Sequence, residues 1–289
     1  MGVDPTSILV SVGVPVYNGL PHLRRALETL VAQTHRNLEI IISDNASTDG
    51  TEALCRDYAA RDPRISYLRN TENIGGGANF TRVLDLACGD FFMWAAHDDW
   101  WAPEFVEANL KNLIEHPDYV MSMSRVGYRD GDREVWMPFI ERADWRGLTG
   151  SPAANVRHYV ANSGMNSRFF ALYRRDVLRK CFRIEPYLGS DNATMVRTLA
   201  LGKHGEVNRM LFFRGMAGES ARHLPMLTAD RTFPGRILPL WRYSKRVWNM
   251  PHVQRDVGML VSLITVNIIF SSMLGITLVK EVLRRLFRR

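Results

Sequence analysis

The chain has 289 residues, 46% of them hydrophobic, enough for one large domain with an appendage. Its cysteines, Cys55, Cys88 and Cys181, are three and widely separated, which excludes a disulfide framework and a cysteine metal cluster and suits a reducing compartment. The net charge of +7 is concentrated: residues 231–289 hold 11 Lys/Arg against Asp256 and Glu281, beside an apolar run, so anionic lipid and not nucleic acid is the expected basic-face partner.

Residues 8–14 form a β-branched run that reads as a buried strand. The run is too short, and too soon broken by Pro15-Val16-Tyr17-Asn18-Gly19, for a secretory signal. Leu23, Ala26, Leu27, Leu30 and Val31 recur on one helical face. Residues 38–43 predict a second buried strand running into Asp44-Asn45-Ala46-Ser47-Thr48-Asp49-Gly50-Thr51. A helix through Ala53, Leu54 and Tyr58 and a strand at 65–69 follow. The turn Asn73-Ile74-Gly75-Gly76-Gly77 then opens a helix that runs to Leu86. A fourth apolar run, from Phe91, ends in His97-Asp98-Asp99. Trp100-Trp101-Ala102-Pro103 opens a helical stretch to residue 115, and a strand is expected near 119–124. Such alternation argues for an α/β fold with a parallel sheet and right-handed crossovers. After about residue 125 the pattern loosens, with a turn at Asp130-Gly131-Asp132 and a mixed stretch over 136–155. A strand at 167–173, helices at 176–181 and 192–201, the latter closed by Gly202, and a last strand at 206–213 complete it.

Asp98 and Asp99 carry the most information. Adjacent carboxylates at the end of a buried strand repel unless a cation lies between them and an anionic partner. A divalent metal bridging protein to a diphosphate fits; an acidic helix cap fits the segment alone equally well. The other strand ends suit a nucleotide. Tyr17 offers a ring face, Asp44 an acceptor for a base N–H, and Gly75-Gly76-Gly77 a backbone that phosphate can approach.

In the stretches VSVGVPVYNGLPHLRRALETLVAQTHRNLEIIISDNASTDGT (10–51), NIGGGANF (73–80) and AAHDDWWAP (95–103), the chain resembles the GT-A glycosyltransferases of family 2. The resemblance covers roughly residues 8–225. It implies a Rossmann-like, mostly parallel central sheet flanked by helices, and an inverting, nucleotide-sugar-dependent transferase. It implies a nucleotide-binding half (1–125) and an acceptor-binding half (126–225). Pro15, Val16, Tyr17, Asn18, Asp44, Asn73, Gly75, Gly76, Asp98 and Arg214 would serve the nucleotide. Asp99, with Asp98, would hold Mn²⁺ or Mg²⁺, although the family's D-x-D stands here as His97-Asp98-Asp99. Asp191 maps to the family's catalytic aspartate, with Ser190 where a Glu is common and Met216 where a His is frequent; the alternative for Asp191 is a helix cap. His97 reads as a supporting hydrogen-bond partner and His223 as a solvated loop residue.

Residues 226–289 form the appendage. Residues 258–279 carry no charge over 22 positions, and beyond them Lys280, Arg284, Arg285 and Arg288 flank an apolar face. Trp241, Tyr243 and Trp248 alternate with Arg242, Lys245 and Arg246, which suits a lipid headgroup zone. The expectation is monotopic, re-entrant or single-span attachment at the cytoplasmic face of the cell membrane, with a glycan or lipid-linked acceptor; the alternative for the C-terminal helices is soluble oligomerisation, a homo-oligomer. The absence of Gln-x-x-Arg-Trp argues against processive synthesis. The competing classes are a catalytically silent nucleotide-sugar-binding partner and a sugar-phosphate nucleotidyltransferase. The second fits poorly, because Pro15-Val16-Tyr17-Asn18 is not a glycine- and basic-rich loop.

Overall fold

The computed structural model describes residues 4–130, 133–135, 145–162, 166–185, 189–215, 240–250 and 263–264. Strand β1 (Val10–Val16) is buried on both faces, as a central parallel strand must be. It pairs in parallel with β2 (Leu38–Asp44) on one side and β4 (Phe91–Trp94) on the other, and β2 pairs in parallel with β3 (Ile65–Arg69). Between them run α1 (Leu23–Val31), α2 (Thr51–Arg61) and α3 (Gly76–Leu86). Helix α1 buries Leu23, Ala26, Leu27 and Leu30, the stripe the sequence spacing predicts. The first half thus follows the expected pattern, with β1 and β2 reaching two residues and one residue further at their carboxyl ends and β4 ending at Trp94, short of His97-Asp98-Asp99.

The remainder joins the same sheet but is not uniformly parallel. Strand β5 (Trp100–Trp101) and helix α4 (Phe105–Glu115) precede the long β6 (Tyr119–Asp130), which pairs antiparallel with β7 (Arg133–Val135). Helix α5 (Pro152–Ala161), a 3₁₀ turn over Ser167–Phe170, β8 (Leu172–Arg174), α6 (Arg175–Cys181), α7 (Ser190–Leu201) and β9 (Lys203–Gly215) follow. The strand order is β3-β2-β1-β4-β8-β6-β9-β5, with β7 beside β6. Strand β8 runs antiparallel to β4 and β6, and β5 runs antiparallel to β9, whereas β6 and β9 are parallel. The sheet is therefore mixed, a correction to the mostly parallel expectation.

Two local corrections share one cause, tertiary packing, and a third rests on a local signal. Trp100 and Trp101 do not open a helix; they pair with Phe213 and Phe212 as an edge strand. Residues 167–173 are not one strand: the turn at 167–170 is pinned by Phe169, whose ring stacks on Trp94 at 4.5 Å and 1°. The mixed stretch before residue 155 contains the start of α5, whose Ser151 cap and Pro152 are ordinary helix-start signals.

The last described helix, α8 (Trp241–Trp248), buries Tyr243 and Val247 within the protein. Tyr243 therefore stands against Gly189, with 3.4 Å between the Tyr243 Cγ and a Cβ built on that glycine, and not in a headgroup zone. Arg242, Lys245 and Arg246 face outward, Arg246 pairing with Glu185 at 3.0 Å. No helix among the described residues is long and apolar enough to cross a membrane. The 258–279 run, apart from Leu263 and Ile264, lies outside the described residues, as do Met216, His223 and residues 280–289.

Candidate active site

The carboxyl ends of parallel strands are where open α/β sheets bind ligands. Val16 lies opposite Asp44 across β1 and β2. Pro15 and Val16 are buried; Tyr17, one residue further, is exposed. Asn18, at φ 48°, donates its N–H to Ser47 Oγ (2.8 Å) and accepts from the Thr48 N–H through Oδ1 (2.8 Å). These bonds join the two loops into one rim, on which the Tyr17 ring is the accessible face. Asp44 is fully enclosed. Its Oδ1 accepts from the Ser47 N–H at 2.9 Å and its Oδ2 from the Tyr67 hydroxyl at 2.8 Å, with Arg69 Nη1 3.9 Å away. Burial first, and then the bond and charge of Asp44, push the Tyr67 hydroxyl well above its ordinary range, so it remains a donor. A base N–H reaching Asp44 would use the lone pairs these bonds leave over.

Side-chain amides hold the glycine turn to β2. Ser43 Oγ donates to Asn79 Oδ1 (2.6 Å), Asn70 Nδ2 donates to Asn45 Oδ1 (3.0 Å), and Asn45 Nδ2 donates to Asn73 Oδ1 (2.7 Å). Asn73 Oδ1 also accepts the Gly75 N–H at 2.9 Å. Gly75 has φ 85°, a conformation that strains a side chain, and a Cβ on Gly75 or Gly76 would meet nothing within 4 Å. The start of α3 is thus an open helix N-terminus of the kind that accepts anions.

Asp98 and Asp99 lie in the loop between β4 and β5. Asp98 is half-buried; Asp99 is 2% exposed. Asp99 Oδ1 accepts the Gly215 N–H at 3.0 Å, while Oδ2 is buried and accepts no hydrogen bond from the described residues. Among those residues the cation paired with Oδ2 is Arg214, with Nε at 3.9 Å. Burial pushes the Asp99 carboxyl up to about 7, and the charge of Asp98 adds to this. Arg214 and the Gly215 N–H pull the other way. Burial thus disfavours the ionised form of Asp99, and a cation beside Oδ2 would favour it. Among the described residues no group of three or more His, Cys, Asp or Glu could hold a metal. The two carboxylates fit Mn²⁺ or Mg²⁺ only if oxygens of a bound diphosphate complete the shell, which is how Mg²⁺ is ordinarily shared with phosphates.

Arg214 connects this pair to the second half. Its Nη1 donates to Ser167 Oγ at 3.2 Å, and its guanidinium lies 5.3 Å from the centre of the Phe170 ring. Asn166, next to Ser167, donates Nδ2 to Asp191 Oδ2 at 2.8 Å. Asn166 and the turn that follows it, clamped by the Trp94–Phe169 stack, thus reach Arg214, the ion partner of Asp99, on one side and Asp191 on the other. The sequence reading includes Asp99, Arg214 and Asp191 but not Asn166 or Ser167, whose contacts here come from residues distant in sequence. His97 is half-buried beside Asp98.

Residues 11–182 match the family described as glycosyl transferase family 2. Glycosyltransferase GlyA of Streptococcus pneumoniae is 33% identical over 107 residues, which cover 37% of this chain and 15% of that protein. The uncharacterised protein Rv1520 of Mycobacterium tuberculosis is 32% identical over 202 residues, 64% of this chain and 56% of that protein. This chain therefore spans only part of the length of these curated relatives. Residues 1–349 of S. aureus TarS superpose with a TM-score of 0.60 at 16% identity, covering 90% of this chain and 81% of that one. The mannosyltransferase PcManGT of Pyrobaculum calidifontis, in complex with GDP-Man and Mn²⁺, superposes at 0.58 and 17% identity, covering 90% and 69%. At such identities these structures speak to the fold alone.

Proposed function

The chain belongs to glycosyl transferase family 2, and on that footing we propose that it moves a sugar from a nucleotide-sugar donor to an acceptor hydroxyl with inversion of configuration. The observation that carries this reading is the buried Asp99 Oδ2, outside any hydrogen bond of the described residues, beside Asp98 at the same sheet edge as the Tyr17 rim. Neighbours of the same fold were solved with UDP-GlcNAc and with GDP-Man and Mn²⁺, which makes a nucleotide-sugar donor and a divalent cation the reading to test. Asp99 and Asp98 would hold the metal, which when bound supplies positive charge against the departing diphosphate. Tyr17 covers the base, and the α3 N-terminus and Arg214 face the phosphates. Asp191 takes the proton of the acceptor hydroxyl as its oxygen bonds to the anomeric carbon. The bond from that carbon to the phosphate oxygen breaks, and its electron pair leaves with the nucleoside diphosphate. A sugar hydroxyl is far less acidic than a carboxylic acid, so the proton moves late, once the new bond is forming.

The acceptor we propose is a glycan or lipid-linked saccharide, used at the cytoplasmic membrane face. The basic excess of residues 231–289 supports this location. The test is turnover of UDP-N-acetylglucosamine, GDP-mannose and related donors with Mn²⁺, followed by NMR of the product's anomeric proton. Inverted configuration supports the reading. Retention overturns the mechanism, and no turnover or hydrolysis of any donor overturns the function.

Gly215 provides a second check. A Cβ there would lie 2.3 Å from the Asp98 carbonyl oxygen, so Gly215→Ala must displace the acidic loop. Mn²⁺ affinity in the presence of UDP or GDP is expected to fall by about 10- to 100-fold, the usual cost of disturbing the groups around metal ligands. Calorimetric titration with unchanged affinity would separate the loop from the metal.

A further inference from the structure

Asp191 is the second residue of α7, yet neither of its oxygens caps that helix. The cap residue is Gly189, with no side-chain cap bond. Asp191 is instead bound by side-chain amides, the shorter bond coming from outside the helix. Asn166 Nδ2 donates to Oδ2 at 2.8 Å, and Asn192 Nδ2 lies 3.5 Å from Oδ1, at the outer limit of a hydrogen bond. Asn166 is 4% exposed and left-handed, with φ 51° and ψ 41°. Asn tolerates that conformation better than most residues with a Cβ. Its amide is oriented in turn by Tyr159 of α5, whose hydroxyl stands 2.8 Å from Asn166 Oδ1 and 2.5 Å from Asn192 Oδ1. When the amide oxygen receives the hydroxyl proton, the NH₂ must turn the other way, toward Asp191. A buried polar residue in an uncommon backbone conformation, aimed at one carboxylate, is an unfavourable arrangement if it only fills space.

We propose that Asn166, set by Tyr159, is a positioning residue for the proton transfer: it ties Asp191 Oδ2 in place and so aims Oδ1 at the acceptor hydroxyl. The proposal rests on the reading of Asp191 as the base. A carboxylate turns about its Cβ–Cγ bond, and fixing one oxygen fixes the direction of the other. Because Ser167, the next residue, meets Arg214, the same turn sets the base relative to the diphosphate side. Proton transfer needs hydrogen-bond reach, and misplacement by an ångström can cost about 100-fold in rate.

The test uses the full chain with Mn²⁺ and UDP-N-acetylglucosamine or GDP-mannose, water serving as acceptor. Asn166→Gly, Asn166→Asp, Tyr159→Phe and Asp191→Asn are compared for kcat, donor KM and Tm. Asn166→Gly keeps the left-handed backbone and loses the amide, so kcat is expected to fall about 10- to 100-fold with donor KM unchanged. Asn166→Asp sets a second carboxylate against Asp191, and two carboxylates at one site do not both ionise readily. The acid limb of its rate profile should therefore move to higher pH. Tyr159→Phe should lower kcat less, and again not KM. Wild-type kcat and an unshifted pH profile in both Asn166 variants, with Asp191→Asn inactive, would overturn the positioning role alone. So would parallel losses of kcat, donor affinity and Tm, the mark of a structural role. Full activity in Asp191→Asn would overturn the base and the positioning role together.

Discussion

Replacing Asp99 with Asn is expected to lower sugar transfer by about 1,000-fold while making the metal-free protein more stable above pH 7. The loss in rate follows if Asp99 holds the cation: several kcal/mol of charge stabilisation at the leaving diphosphate depends on it, and ~4 kcal/mol corresponds to three powers of ten. The gain in stability follows from burial. The Asp99 carboxyl is pushed up to about 7 in the folded chain, above its ordinary value of 3.8. A carboxyl with a raised folded value favours the folded state at low pH and loses that contribution as pH rises through about 7. Asn cannot ionise, so it escapes this loss. Melting curves without metal should coincide near pH 4 and diverge at pH 8 in favour of the Asp99→Asn variant. The same proton linkage makes Mn²⁺ affinity of the wild type rise with pH up to about 7 and level off above it. A variant with normal metal-dependent transfer would remove Asp99 from the metal site, and one no more stable at pH 8 would remove the buried charge.

Asp191→Asn is expected to reduce transfer by about 100- to 10,000-fold, the range that a positioned general base contributes. Donor binding should be nearly untouched, because Asn166 and Asn192, the hydrogen-bond partners of Asp191, belong to the second half and not to the Tyr17 rim or the glycine turn. Equilibrium titration with a nucleotide sugar and Mn²⁺ checks this directly. Asp99→Asn should weaken donor binding and Asp191→Asn should not, and the contrast distinguishes a cation ligand from a base. Equal losses of donor affinity in both variants would contradict the assignment.

The first half was legible because its signals are local. The β-branched run before Pro15, the helical stripe from Leu23 to Leu30 and the glycine turn at 75–77 each specify structure within a few residues. Parallel strands buried on both faces leave little ambiguity. The carboxylates were legible because an apolar run ending in Asp98-Asp99 is unusual chemistry. The second half failed where long-range packing decided the outcome. Residues 169–173, Phe-Phe-Ala-Leu-Tyr, are a continuous apolar run as a buried strand would be, but the Phe169 stack on Trp94 and the left-handed Asn166 fold residues 167–170 into a turn. Trp100-Trp101 became an edge strand only because Phe212 and Phe213 lie alongside. Tyr243 looked like an interfacial aromatic until Gly189 provided a place to bury it. Asn166 had no local signal at all, since its partners are 7 and 25 residues away. Helix α5 is different: Ser151-Pro152 specifies its start locally.

The central claim is that the buried Asp99 oxygen and Asp98 hold a divalent cation against a nucleoside diphosphate. Anomalous X-ray scattering from crystals grown with Mn²⁺ and UDP or GDP tests it most directly. The expected map has one manganese peak within bonding distance of Asp99 Oδ2 and of both phosphates, with the base against Tyr17. A diphosphate held by Arg214 and the α3 N-terminus alone, with Asp99 still against the Gly215 N–H and Arg214 and no manganese beside it, would contradict the account.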